Sequence, residues 1–306
     1  MTRAEEKEIL VGDNPFHGIS HLSQESARDR DERVTHPEHA ADIVTTSLQN
    51  GATGWMFTVS ESTLSILTIL SHRLDRSQLR LYAMVPYAYE YVRSAVVLGG
   101  IPGLAKRLAK QLILSANVKA ISYGFKGIVG FAPEALERAY LNYEIGRIRS
   151  ASKKANLVCL LLNEVVTDMA LALNLDWLFH TYIDSMADLG VKPGFNTRNL
   201  PYLVNKFREW GISLREVALS VPLNSAGFQM YPSKDECEEI LKEIPEADII
   251  AISLLAAGYL KPEQAIAYVA NLPNLRGVAV GVSKENQARE TFKLLEERFK
   301  NKISPC

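Results

Sequence analysis

Short apolar runs alternate along the chain with longer segments whose apolar positions recur every three or four residues. The short runs, at 9–12, 54–59, 80–86, 156–162, 192–195, 216–222, 248–254 and 277–282, predict strands. Leu157 to Leu162 is continuously apolar between polar flanks, the pattern of a strand covered on both faces. The segments between the strands predict helices. One opens at the capping-box sequence Thr35-His36-Pro37-Glu38, carries Ala40, Val44 and Leu48 on one face, and stops at Gly51. Others occupy 60–74, 133–150, one stretch after Leu162 that ends at Gly190, 199–210, 233–242, 262–271 and 284–299. Gly211 falls where a helix C-terminus favours glycine.

Strands that alternate with helices imply right-handed parallel crossovers, and this number of units closes into an α/β fold, the (β/α)8 TIM barrel. An open doubly wound sheet is the rival architecture. Against it, the first strand leads into Gly12-Asp13-Asn14 and a long loop, not into a Gly-x-Gly-x-x-Gly turn. The spacing breaks once. Residues 88–155 are too long for a single crossover, so an insertion after the third strand is expected. Residues 88–132 would form a lid-like subregion within one domain spanning 1–306, although extra packing helices explain the same length.

Composition narrows the function classes without choosing among them. In 306 residues, 34 Lys and Arg oppose 35 Asp and Glu, and the formal charge of −1 offers no global field for a phosphate backbone. Lys106, Arg107 and Lys110 cluster without interleaved aromatics, so nucleic acid is not an expected partner. The longest uncharged run, 217–233, contains two prolines and several polar residues, whereas a membrane span needs about 20 apolar ones. Cys159, Cys237 and Cys306 are odd in number and lack a C-x-x-C spacing, which argues for a reducing compartment. No apolar leader is visible after Met1, and a cytoplasmic protein without membrane partners is expected. A homo-oligomer is compatible with all of this.

In such a barrel the reacting groups come from the C-terminal ends of several strands. Those ends carry Asp13, Asn14, His17 and His21, then Tyr87, Tyr89 and Glu90, then Asn163 and Glu164. Asn196, Arg198, Asn224, Gln229, Ser253, Ser283 and Lys284 continue the series. So many amides and carboxylates are tolerated only around a polar cavity, so a small polar metabolite is the expected partner. His17 is the candidate acid or base, and Tyr87 a candidate proton donor or a packing aromatic. Glu164 ends an apolar strand, where burial would raise its pKa and make it a general base. It could equally be a carboxylate facing the dipole of the next helix. Asn14, His21, Glu90, Asn163, Asn196 and Asn224 are the candidate substrate contacts. His17 and His21 have a spacing that suits metal ligands only on a helix, which Pro15 and Gly18 disfavour, so no metal is expected. The turn Gly281-Val282-Ser283-Lys284 offers backbone N–H groups, a hydroxyl and an ammonium at a helix start, a phosphate-holding combination.

Three segments carry a family likeness: GVKPGFN at 190–196, AISLLAAGYL at 251–260 and VAVGVSKENQARETFKLL at 278–295. Together they resemble the aldo-keto reductases, and 48–60 is loosely similar to that family's second unit. Asn196 matches the Asn of the family's Gly-x-Ser-Asn turn, with Phe195 in place of its Ser. Leu254 stands where the Ser-Pro-Leu-x-x-Gly-x-Leu stretch usually has Pro. The resemblance implies a TIM barrel, NADP or NAD as cofactor, and Ser253, Ser283, Lys284 and Gln287 on the cofactor side. The family's Asp and Tyr after the second strand, Lys on the third and His on the fourth have no counterparts in WMFTVSES, LYAMVPYAYE and CLLLNE, and Asn163 stands near the His position.

Three functions stay open at this level. One is nicotinamide-linked carbonyl chemistry through a non-standard active site. The second is a lyase, isomerase or hydrolase, metal-dependent or not, that uses His17 and Glu164. The third is a non-catalytic ligand-binding barrel.

Overall fold

The computed structural model describes residues 7–17, 36–75, 79–86, 133–153 and 155–300. Eight parallel strands pair in sequence order and close into a barrel. They are β1 (Glu8–Gly12), β2 (Gly54–Thr58), β3 (Arg80–Val85), β4 (Asn156–Leu162), β5 (Lys192–Asn196), β6 (Ala218–Pro222), β7 (Asp248–Ile252) and β8 (Leu275–Gly281). Closure comes from β8 lying against β1, with Glu8 opposite Gly277 and Gly12 opposite Gly281. The fold is the (β/α)8 barrel that the strand count predicts. The helices around it are α1 (Pro37–Leu48), α2 (Glu61–Arg73), α3 (Pro133–Ala151), α4 (Glu164–Ala172), α5 (Asp176–Leu189), α6 (Leu200–Glu209), α7 (Lys234–Glu243), α8 (Pro262–Asn271) and α9 (Glu285–Leu295).

The alternation of side chains along each strand builds two apolar layers. Ile9, Val11, Trp55 and Phe57 join the layer between strands and helices. Leu10, Met56, Tyr82, Cys159, Leu161, Ile250 and Ala279 fill the barrel interior instead. In the outer layer Phe179 of α5 meets Phe195 of β5 at 5.3 Å and Phe207 of α6 at 5.4 Å. Such pairs contribute about 0.5–1.5 kcal/mol each beyond area burial. At the N-terminal end of the strands the filling becomes ionic. Glu8 pairs with Arg80 at 2.5 Å and accepts from the Thr53 hydroxyl at 2.8 Å, while Lys192 pairs with Asp248.

Local sequence accounts for most boundaries. Ser60 caps α2 by accepting from the Thr63 N–H and completes a reciprocal capping box with the Thr63 side chain. Gly190 closes α5 in left-handed backbone at φ 65°. The structure also corrects several expectations. The cap of α1 is His36, not Thr35, and it makes no side-chain capping bond; Pro37 opens the helix. The single helix expected between Leu162 and Gly190 is two, because Asn174 takes a left-handed turn (φ 58°) between α4 and α5. The last strand begins two residues earlier than expected, and α9 passes at Glu296 into a wider turn through Lys300. The predicted subregion 88–132 lies outside the described residues. Among the described residues no helix is long and apolar enough to cross a membrane.

Candidate functional site

The C-terminal rim of the barrel gathers the polar groups on two facing walls. On one wall β1 runs into a single 3-10 turn, Asn14–His17, which Asp13 starts by accepting the Phe16 N–H on its carbonyl at 2.8 Å. The Asp13 carboxylate oxygen Oδ2 receives the backbone N–H of Thr58, at the end of β2, at 2.6 Å. The same oxygen receives His17 Nε2 at 2.9 Å, with both side chains nearly buried. Burial works against a charged imidazole, but the hydrogen bond and negative charge of Asp13 outweigh it and raise the His17 pKa above its ordinary 6.5. Asn14, in the same turn, is exposed.

The turn lies directly on β8. A Cβ on Gly281 would stand 2.7 Å from Pro15 Cδ, so only glycine permits this approach. The turn between β8 and α9 follows immediately. Lys284 is the helix cap there and makes no side-chain capping bond, so Ser283 is not the cap. Ser283 instead donates from its N–H and its hydroxyl to Gln287 Oε1, each at 3.3 Å. Ser253, at the end of β7, adopts left-handed backbone (φ 55°), and its carbonyl accepts from Ala256.

The facing wall is formed by β4, β5 and β6. Asn163 caps α4, its side-chain oxygen accepting from Val165 N–H at 3.0 Å and its amide nitrogen 3.5 Å from Met84 Sδ. Glu164 begins α4, and its Oε2 accepts from Asn196 Nδ2 at 2.8 Å while Arg198 Nη2 stands 3.4 Å from Oε1. One turn further, Asp168 accepts from the Thr197 hydroxyl at 2.5 Å and from the Arg198 N–H at 3.2 Å. Burial raises the Asp168 pKa, against the lowering effect of those two donors. Asn224 uses both ends of its amide on the Phe228 backbone, at 2.8 and 2.9 Å, and so braces the loop after β6.

Two polar atoms on this wall have no partner among the described residues. Gly194 packs against Cys159 and Leu161 of the interior, so Asn196, two residues on, also faces inward. Ala218 belongs to the interior, so Ser220 does too. Asn196 and Ser220 stand opposite one another in the β5–β6 ladder. They are 5% and 0% exposed, and both Asn196 Oδ1 and Ser220 Oγ lack a hydrogen-bond partner. A buried orphan of this kind costs about 1–3 kcal/mol, so the pair calls for an explanation.

Of the sequence candidates, His17 gains Asp13 as a partner, and Glu164 and Asn196 come together. His21, Tyr87, Tyr89 and Glu90 lie outside the described residues. Ser220, Asp168 and Thr58 were not among the candidates; only the register of β5 against β6 reveals Ser220. Among the described residues no group of His, Cys, Asp and Glu could hold a metal ion. Cys159 and Cys237 are buried thiols pushed up by burial to about 12 and about 11, and neither is a ready nucleophile.

Fold and rim together define an α/β barrel of the kind that carries small-molecule sites at its strand ends. Solved structures of that shape similar to this chain include aldo-keto reductases. One described as an aldo-keto reductase from Pseudomonas aeruginosa has a TM-score of 0.57 at 12% identity over 96% of this chain and 91% of that one. An aldo-keto reductase from Bacillus halodurans in its holo form has a TM-score of 0.51 at 9% identity, over 98% and 88%. An aldo-keto reductase from Klebsiella pneumoniae, in complex with NADPH, has 0.50 at 10% identity, over 96% and 90%. At these identities the likeness is one of fold. No protein-family model matches the sequence, and no curated protein matches it.

Proposed function

We propose that the protein is a nicotinamide-linked oxidoreductase that interconverts a carbonyl and an alcohol on a small polar metabolite, with His17 handling the proton. The pair Asn196 Oδ1 and Ser220 Oγ carries this reading. An acceptor beside a hydroxyl matches the two ends of a carboxamide, whose NH2 donates and whose C=O accepts. The NADPH complex of the K. pneumoniae reductase, a protein of this fold, supports the same reading. When bound, a nicotinamide supplies or takes up hydride.

The chain's own groups then divide the remaining work. Asn196 and Ser220 hold and orient the carboxamide, and the turn at Ser283 and Lys284 offers contacts to a phosphate. In a closed ring of eight strands β1 and β5 are opposite, so the turn that carries His17 stands across the rim from the β5–β6 wall. The imidazolium, kept charged by Asp13, gives a proton to a carbonyl oxygen as negative charge develops there, and neutral His17 takes it back in the reverse direction. Glu164 holds Asn196 and Arg198 with its two oxygens, an arrangement that suits orientation better than proton abstraction.

Fluorescence titration of NADPH and NADH tests the proposal, with Asn196→Ala, Ser220→Ala and Lys284→Ala as comparisons. Binding tighter than about millimolar in the wild type, weakened about tenfold in each rim variant, is expected. Absence of binding at millimolar nucleotide overturns it.

A further inference from the structure

We propose that Glu164 is a positioning residue that locks the Asn196 amide with its oxygen toward the barrel interior. The β5–β6 subsite then selects a ligand group that carries an N–H donor over an isosteric group that can only accept. The inference rests on the nicotinamide reading and adds to it a rule of selection.

The argument is one of hydrogen-bond polarity. An amide side chain has two ends of nearly equal shape and opposite character, and a half-turn exchanges them. An ionised carboxylate only accepts, so the group 2.8 Å from Glu164 Oε2 must be the Asn196 NH2. The turned amide would set its oxygen against the carboxylate oxygen. Glu164 is the first residue of α4, which fixes where its side chain leaves the rim. Arg198 Nη2 stands 3.4 Å from the other oxygen, Oε1, and leaves Oε2 to Asn196. Met84 Sδ lies 3.6 Å from Asn196 Nδ2, and sulfur, a weak acceptor, suits the same orientation. With its NH2 so engaged, Asn196 can offer the interior only Oδ1, the atom left without a partner. Ser220 does not fix the polarity, because a hydroxyl rotates to donate or accept. Selection therefore comes from Asn196, and through it from Glu164.

The test compares NADPH with its 3-acetylpyridine analogue, in which a methyl ketone replaces the carboxamide. Dissociation constants are measured for the wild type, Glu164→Gln and Glu164→Leu. The wild type is expected to favour NADPH by about tenfold or more, one hydrogen bond's share of affinity. Glu164→Gln has one oxygen, for which Arg198 competes, and an NH2 that can donate to a turned Asn196, so it should lose much of that preference. Glu164→Leu frees the amide to turn, so the ratio should fall toward one, with the analogue binding more tightly than it does to the wild type. Equal weakening of both ligands in Glu164→Leu, with the ratio unchanged, is what a purely structural role gives and overturns the proposal. The Asn196 side-chain NH2 signals in a 1H–15N spectrum read the orientation without any nucleotide. If they do not move in Glu164→Leu, the lock itself is refuted. If they move while no nucleotide binds the wild type, the nicotinamide reading and the selection rule fail together and only the lock remains.

Discussion

His17 and Asp13 are joined 2.9 Å apart by a carboxylate oxygen that also takes the Thr58 N–H, so one atom ties the histidine of the first loop to the end of the second strand. Asp13→Asn removes the charge that offsets the burial of His17. Its pKa should fall, and the high-pH limb of the carbonyl-reduction profile should move to lower pH. Stability has the same sign. Because the folded pKa is raised above 6.5, the contribution is full below that value and fades as pH rises through the folded pKa. Urea unfolding of the wild type and Asp13→Asn on both sides of that window, together with pH–rate profiles, tests this. Profiles that superimpose would remove Asp13 from the proton chemistry.

Gly281→Ala should disturb the same histidine from a distance. The new methyl would meet Pro15 Cδ at 2.7 Å and Cγ at 2.9 Å, and the turn carrying His17 must give way. Overpacking of this kind costs about 1–3 kcal/mol. Thermal unfolding and the NMR titration of His17 should both change, whereas Ser283→Ala, two residues on, should leave the titration alone. An unshifted His17 titration in Gly281→Ala would show that the turn does not depend on this contact.

Glu137 on α3 gives a pH signature unrelated to the rim. Both its carboxyl oxygens are buried without partners, and burial pushes its pKa up to about 8, with Arg138 opposing and Glu134 adding. Between its ordinary 4.5 and about 8 the folded chain holds a proton that the unfolded chain does not. Stability should therefore fall as pH rises through that window. Glu137→Gln should flatten the fall and stabilise the protein above it, by an amount on the order of a few kcal/mol. Wild-type and variant stability curves that run parallel from pH 5 to 9 would contradict this.

The barrel was legible because its strands announce themselves. Leu157 to Leu162 has nowhere to go but between two apolar layers, and β4 occupies 156–162 as read. The break between α4 and α5 was hidden by apolar residues that continue across it, with Leu171, Leu173 and Leu175 flanking the Asn174 turn. At the rim, residue type pointed to His17, Glu164 and Asn196, but not to what they do together. A lone serine in ALSVP looks incidental until the ladder sets it beside Asn196. Asp168 looks like any helix-face acid until Thr197 arrives from the next strand end. These are tertiary facts, set by register and crossover geometry, which a linear pattern does not contain.

The ion pairs Glu8–Arg80 and Lys192–Asp248 below the apolar interior make the barrel a vessel with a sealed base. On the proposed function, a nicotinamide held at β5 and β6 would be the floor for the metabolite that follows it. Order of binding would follow from that seat: the deeper guest enters first and leaves last.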